Sequence, residues 1–213
     1  MLGGMNTLNS WSRAGRIARR AALLLVALLL VTGCANHPGK LPFRLTDVTG
    51  HLPDLDFHLT NDRGQPVTGK DFRGKVVMMY FGYTHCPDVC PLTMTRMHVV
   101  MHDLGKTANA VRMLFVTVDP ERDTVPVLHQ YVTAFDPRDV GLTGTPKQIR
   151  ALTKRYRAAF SRGKTLQNGG YEVNHSAAIY VFDRHGRARV LATPTTPNAD
   201  LEHDLRLLVQ SGD

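Results

Sequence analysis

Lys75-Val76-Val77-Met78-Met79-Tyr80-Phe81-Gly82-Tyr83-Thr84-His85-Cys86-Pro87-Asp88-Val89-Cys90-Pro91 runs without a break from an apolar strand into the start of a helix. After the lysine, residues 76–83 are apolar, aromatic or glycine. An apolar run of this length bounded by glycine reads as a central strand covered on both faces. Each proline then constrains the cysteine before it, because the residue preceding proline is pushed away from the α region. Neither Cys86 nor Cys90 is therefore expected inside a helix, and Pro91 is expected at the first helical position with Cys90 as its cap. Residues 87–89 form a turn that brings the two sulfurs together. A thiol so placed faces unpaired N–H groups and the positive end of the helix dipole, which lowers its pKa.

Outward from this stretch, strands and helices alternate. Met94, Met97, Val100, Met101 and Leu104 recur at helical spacing over residues 91–104. Residues 111–118 read as a second buried strand, and 124–135 as a helix capped by Asp123 or Thr124. A helix opens at Thr145-Pro146 and runs to about residue 160, since proline suits the first helical turn. Residues 163–174 read as a loop. Two strands, 178–183 and 188–193, join through Arg184-His185-Gly186, and a helix over 198–210 closes the chain. Upstream, Phe57-His58-Leu59 is a short strand before a turn at 61–64, and the globular pattern begins near Leu55. This order predicts an α/β sheet covered by helices on both faces.

The first 33 residues read as a signal peptide of the lipoprotein type. Arg13, Arg16, Arg19 and Arg20 form a positive region, and residues 21–32 form an apolar run of 12, too short to span a bilayer, where about 20 are needed. The run ends in Val31-Thr32-Gly33-Cys34, which resembles the bacterial lipobox, so Cys34 is expected to carry lipid. Residues 34–53, rich in Pro, Gly and His, are expected to tether a domain over 54–213. Four of the eight units of formal positive charge lie in the leader, leaving +4 and removing most of the case for nucleic acid. These features predict an exported, membrane-anchored lipoprotein of the bacterial cell envelope.

Three cysteines are an odd count for an exported chain. With Cys34 lipidated, Cys86 and Cys90 are each other's only possible partners, as a disulfide, a dithiol or a metal site. A staple closing so small a loop would contribute little entropy. Soft sulfur ligands favour Cu(I), and imidazole suits copper as well. Among ten histidines, His175 stands out because it ends the 163–174 loop and immediately precedes a strand. Asp119 ends the second buried strand and is a candidate to orient His175 or a tyrosine. Met94, Met97 and Met101 are a core stripe by spacing. Cys86, Cys90, His98 and His102 only superficially resemble a zinc finger, since His98 lies about 12 Å up the helix. Lys147, Arg150, Lys154 and Arg157 mark a basic helical face.

Five stretches in order resemble the Sco/SenC family of copper-binding proteins: Asp47-Val48-Thr49-Gly50, residues 82–91, residues 118–124, Gly144-Thr145-Pro146, and Val173-Asn174-His175-Ser176. The resemblance implies a thioredoxin-like fold with a central mixed sheet flanked by helices. It implies that Cys86, Cys90 and His175 bind copper, as Cu(I) or Cu(II). It further implies a monomeric metallochaperone without turnover, loaded by a copper donor protein and serving the copper-receiving subunit of cytochrome c oxidase during assembly of its binuclear copper site. Asn174 stands where many members carry aspartate, and Val125 replaces a frequent proline. The rival reading is a thiol–disulfide oxidoreductase that reduces the partner's cysteines with Cys86 and Cys90 and leaves His175 idle. A peroxidase of the peroxiredoxin type is disfavoured, because there a proline and threonine precede the cysteine, whereas here they follow.

Overall fold

The computed structural model describes residues 41–165 and 171–212. Ten strands and four α-helices occur among them. The strands are β1 Thr46–Asp47, β2 His58–Asn61, β3 Pro66–Thr68, β4 Val76–Gly82, β5 Val111–Thr117, β6 Val140–Thr143, β7 Phe160–Thr165, β8 Tyr171–His175, β9 Ile179–Phe182 and β10 Ala188–Ala192. The helices are α1 Val89–Asp103, α2 Val125–Thr133, α3 Pro146–Arg155 and α4 Asn198–Ser211. Eight strands form one mixed sheet in the order β1-β10-β9-β4-β5-β6-β2-β3, and β7 pairs with β8 in a separate hairpin. The fold is the expected α/β, thioredoxin-like one.

All seven residues of β4 are buried, as its unbroken apolar run predicts. β4 runs parallel to β5 from Val76 opposite Val111 to Gly82 opposite Thr117, and antiparallel to β9 with Tyr80 opposite Ile179. This topology places the site. The carboxyl ends of β4 and β5 share one edge of the sheet, and the antiparallel β9 begins at that edge. Residues that leave β4, leave β5 or enter β9 therefore meet there, although the chain separates them widely. Gly82 suits the close approach at the end of β4: a Cβ there would lie 2.8 Å from Phe115 Cε2 and 2.9 Å from Tyr80 Cε1.

Helix α1 buries Met94, Met97 and Met101 with Val100, so these methionines are core and not ligands. Arg96 ties α1 to the turn before α4 through Asn198 Oδ1 (2.6 Å) and the carbonyls of Thr193 and Thr196.

Several expectations need correction. The tether does not reach residue 53: β1 pairs with β10, Leu45 is buried, and the Arg44 and Leu45 N–H groups donate to the Asp204 carboxylate at 3.0 and 2.9 Å. A two-residue edge strand has no periodicity to betray it. Helix α3 ends at Arg155, and Arg157 adopts the left-handed region with φ 56°. Within the expected loop over 163–174, residues 163–165 and 171–174 belong to the paired strands β7 and β8, with Phe160 opposite His175. Helix α1 begins at Val89 with Asp88 at the cap position, so Cys90 lies in the first turn. The first turn needs no N–H from its residues, which is why Pro91 is tolerated one turn position further in.

Candidate metal centre

The loop from Tyr83 to Asp88 leaves the buried end of β4 and turns into α1. Its position is held by Asp123, whose carboxylate is wholly buried. Asp123 accepts from Thr84 N–H (3.0 Å), Thr84 Oγ1 (2.6 Å) and Thr117 Oγ1 (2.5 Å). His85 Nδ1 lies 3.4 Å away. Asp123 is thus the clasp between the cysteine loop and β5, while Thr124 takes the cap position of α2. Reading Asp123 as a helix cap missed this, because two of its three donors come from Thr84, 39 positions away, and leave no trace in sequence spacing.

At the mouth of this loop Cys86, Cys90 and His175 converge, with Cys86 Sγ, Cys90 Sγ and an imidazole nitrogen all within 4.8 Å of one another. The two cysteines are not bonded to each other. Cys90 is fully buried and Cys86 partly exposed. Cys90 N–H points at Cys86 Sγ (3.4 Å), and Cys90 Sγ lies 3.2 Å from His175 Nε2. The Tyr80 hydroxyl donates to Cys90 Sγ at 3.6 Å. Tyr80 is the single hydroxyl in an otherwise apolar strand, the one signal that would have singled it out.

His175 reaches the cysteines because β8 ends four residues before β9 begins. Its ring stands edge-on to Tyr80 and Tyr83, with centroids 5.8 Å apart in both cases. Its Nδ1 lies 3.1 Å from the Ser176 carbonyl, to which it donates, and that assignment leaves the Nε2 lone pair facing the sulfurs. Burial holds the imidazole below its ordinary pKa, so it is neutral at neutral pH. The expectation of a lowered thiol pKa fails at Cys90. Burial pushes that thiol up to about 12, outweighing hydrogen bonds that favour the thiolate. With Cys90 protonated, its S–H has Nε2 as a natural acceptor.

Asp119 does not reach His175. Its carboxylate accepts from the Tyr171 hydroxyl (2.7 Å) and from Arg122 Nε, and so braces the hairpin that delivers His175. Arg122 also donates to the Tyr171 carbonyl at 3.0 Å. The guanidinium groups of Arg122 and Arg162 each lie 3.7 Å from the Tyr171 ring centroid. His98 and His102 are exposed on α1 and do not join the cluster. Cys34 lies outside the described residues.

Two soft thiol donors and one neutral imidazole nitrogen form a donor set that fits copper. A cavity of about 230 Å³ opens beside it, lined among others by Tyr83, Cys86, Val89, Glu172 and His175. An incoming ligand can approach Cys86 and the imidazole from there.

Comparison with known proteins agrees with this geometry. The family description SCO1/SenC matches residues 43–210. The chain is 43% identical over 133 residues to the mitochondrial SCO2 homolog of Danio rerio, covering 62% of this chain and 48% of that protein. Among solved structures, Arabidopsis thaliana ScoI with copper bound superposes with a TM-score of 0.69 at 31% identity, covering 74% of this chain and 98% of that one. Bradyrhizobium japonicum ScoI with copper bound gives a TM-score of 0.67 at 36% identity, with 73% and 98% covered. The chain spans about half the length of the curated relatives it matches.

One expectation is overturned by these relatives. The curated proteins from Danio rerio, Mus musculus, Homo sapiens and Saccharomyces cerevisiae are named as mitochondrial, not as lipoproteins of a bacterial envelope. Among the described residues no helix is long and apolar enough to cross a membrane. The physical reason for the misreading is that a leader rich in arginine and free of acids is shared by organellar transit peptides.

Proposed function

The chain belongs to the SCO1/SenC family, and from that premise we propose that it binds copper through Cys86, Cys90 and His175 and hands it to the copper-receiving subunit of cytochrome c oxidase during assembly. Copper is cargo in this reading, received from a donor protein and passed on by ligand exchange. The observation that carries it is the convergence of two sulfurs and one imidazole within 4.8 Å, from a loop and a strand end 85 residues apart.

The chemistry of the three donors supports transfer over storage. Cys90 and His175 are held from behind, by Tyr80 and by the Ser176 carbonyl. Cys86 sits on the open side. An incoming thiolate can therefore displace Cys86 first while the other two donors keep the metal, and a stepwise exchange needs no naked ion. Nothing in this cycle requires turnover of a substrate. Copper titration of the reduced protein against a chelating competitor tests the reading. A single tight site lost in Cys86→Ser, Cys90→Ser and His175→Ala supports it, and unchanged affinity in any one of the three refutes the three-ligand site.

A second reading, reduction of the partner's cysteines by the same dithiol, is favoured by the short separation of the two sulfurs. In that role Cys86 is the attacking sulfur, because Cys90 is buried and its thiol is held protonated.

A further inference from the structure

Beside the metal centre, on the far side of the hairpin, lies a second cavity of about 220 Å³. Its floor is apolar, formed by Val118, Ile149, Phe160 and Val173, and its rim carries Arg150 and Arg162. It is smaller than the roughly 300–1,000 Å³ of a usual small-molecule site, and suits one inserted side chain. Two of its residues connect it to the metal centre. Val173 lines both cavities, and Phe160 pairs with His175 across the hairpin.

The exposed charge around it is mainly basic. Helix α3 reads Pro-Lys-Gln-Ile-Arg-Ala-Leu-Thr-Lys-Arg and contains no acid. Lys147, Arg150 and Lys154, at i, i+3 and i+7, form one exposed stripe of that helix, and none has an acidic partner among the described residues. Arg162 is also exposed, and its guanidinium is stacked on Tyr171, whose other face holds Arg122. A stacked guanidinium is already oriented, so less entropy is lost when it meets a carboxylate. Asp119 lines the cavity too, but its charge is taken up by Arg122 and Tyr171. The exposed acid of the rim is Glu121.

We propose that this cavity and the α3 stripe form the docking surface for an acidic segment of the protein with which this chain exchanges metal, a carboxylate-rich stretch whose apolar side chain enters the cavity between Arg150 and Arg162. The identity of the partner rests on the metal-transfer reading, but the surface itself rests on charge and shape alone. Docking here sets the partner against the hairpin that carries His175, so a metal-receiving loop adjoining the acidic segment lies at the open side of Cys86. The rim charges govern the rate of encounter and its salt dependence, and the apolar insertion governs register.

The test uses the full chain and a fluorescent peptide of sequence Glu-Glu-Phe-Glu-Glu, with a Gln-for-Glu counterpart, followed by anisotropy. The acidic peptide is expected to bind, to weaken as salt rises, and to bind about tenfold less well to Arg150→Gln/Arg162→Gln. Both residues are exposed; the single Arg150→Gln variant, a change on a helix surface, is expected to show a smaller loss in the same direction. Equal binding of the Gln peptide, or equal affinity of the double variant, overturns the proposal. Binding of phosphatidylglycerol vesicles without binding of the acidic peptide also overturns it, and assigns the face to a membrane. Copper affinity of the same proteins is read in parallel by chelator competition. Lost peptide binding beside intact copper affinity in the double variant supports the surface. Peptide binding by a wild type that takes up no copper overturns the partner's identity and leaves the surface standing.

Discussion

Cys90 Sγ and His175 Nε2 lie 3.2 Å apart across 85 positions of chain, with the sulfur backed by Tyr80 and the imidazole by the Ser176 carbonyl. Each donor is aimed by a partner that is not itself a ligand. The consequences of disturbing either the donors or their supports are distinct and measurable.

Replacing His175 with Ala is expected to lower copper affinity by about two orders of magnitude or more, a loss beyond the 10–100-fold typical of outer-shell partners. The dithiol–disulfide couple should stay close to its wild-type potential, because disulfide exchange needs two sulfurs and no imidazole. Chelator competition and glutathione equilibration measure the two quantities in one preparation. A fall in both together would contradict the separation of roles.

Tyr80→Phe tests the support behind Cys90. The hydroxyl is buried and donates to the sulfur at 3.6 Å. Its loss is expected to weaken copper binding by about tenfold, within the range for outer-shell partners, while leaving the melting temperature nearly unchanged because the ring remains. An unaltered copper affinity would show that the contact does not tune the thiolate.

Asp123→Ala removes the acceptor shared by Thr84 and Thr117. Three donors at a buried position are left unsatisfied, and the expected cost is about 2–4 kcal/mol in urea denaturation. Copper affinity should fall as well, since the cysteine loop loses its clasp to β5. Stability within about 0.5 kcal/mol of wild type would contradict the clasp.

Asp139 gives the fold a pH dependence of known sign. Burial, with the nearby charge of Asp136, raises its carboxyl to about 8 from an ordinary value of 3.8. The folded state therefore favours the protonated form. The stability it contributes is complete below the ordinary value and is lost as pH rises through about 8. Asp139→Asn, which cannot ionise, is expected to flatten this dependence and to be the more stable protein at pH 9, by an amount of the order of a few kcal/mol. Urea denaturation at pH 5 and pH 9 measures it, and parallel curves for variant and wild type would contradict it.

Gly82→Ala introduces a Cβ 2.8 Å from Phe115 and 2.9 Å from Tyr80. Overpacking of this kind costs about 1–3 kcal/mol. Because Tyr80 must shift, copper affinity is expected to drop along with stability. A drop in stability alone would mean that Tyr80 keeps its contact with Cys90.

The order of strands and helices was legible from residues 75–91 outward because apolar runs and helical periodicity are local signals. β4, β5, α1 and α4 lie close to where they were expected. The cysteine pair was legible because both sulfurs sit on one short turn. The pairing of β7 with β8 was not, because their alternation is short and their position is decided by contacts with Asp119, Arg122 and Tyr83 from elsewhere in the chain. The Asp123 clasp was missed for the same reason.

What the sequence determined by itself is the kind of sheet, the two sulfurs at the carboxyl end of β4, and, through a resemblance spread over five stretches, the family. What only the tertiary structure decided is the environment of each donor. Cys90, placed at a helix start, should by local electrostatics be an acidic thiol. Its burial beneath Tyr80 and His175 raises it instead to about 12. The reversal has one cause: a helix dipole acts over a single turn and can be read along the chain, whereas desolvation is the sum of everything packed around the sulfur, including His175 from a strand end 85 positions away.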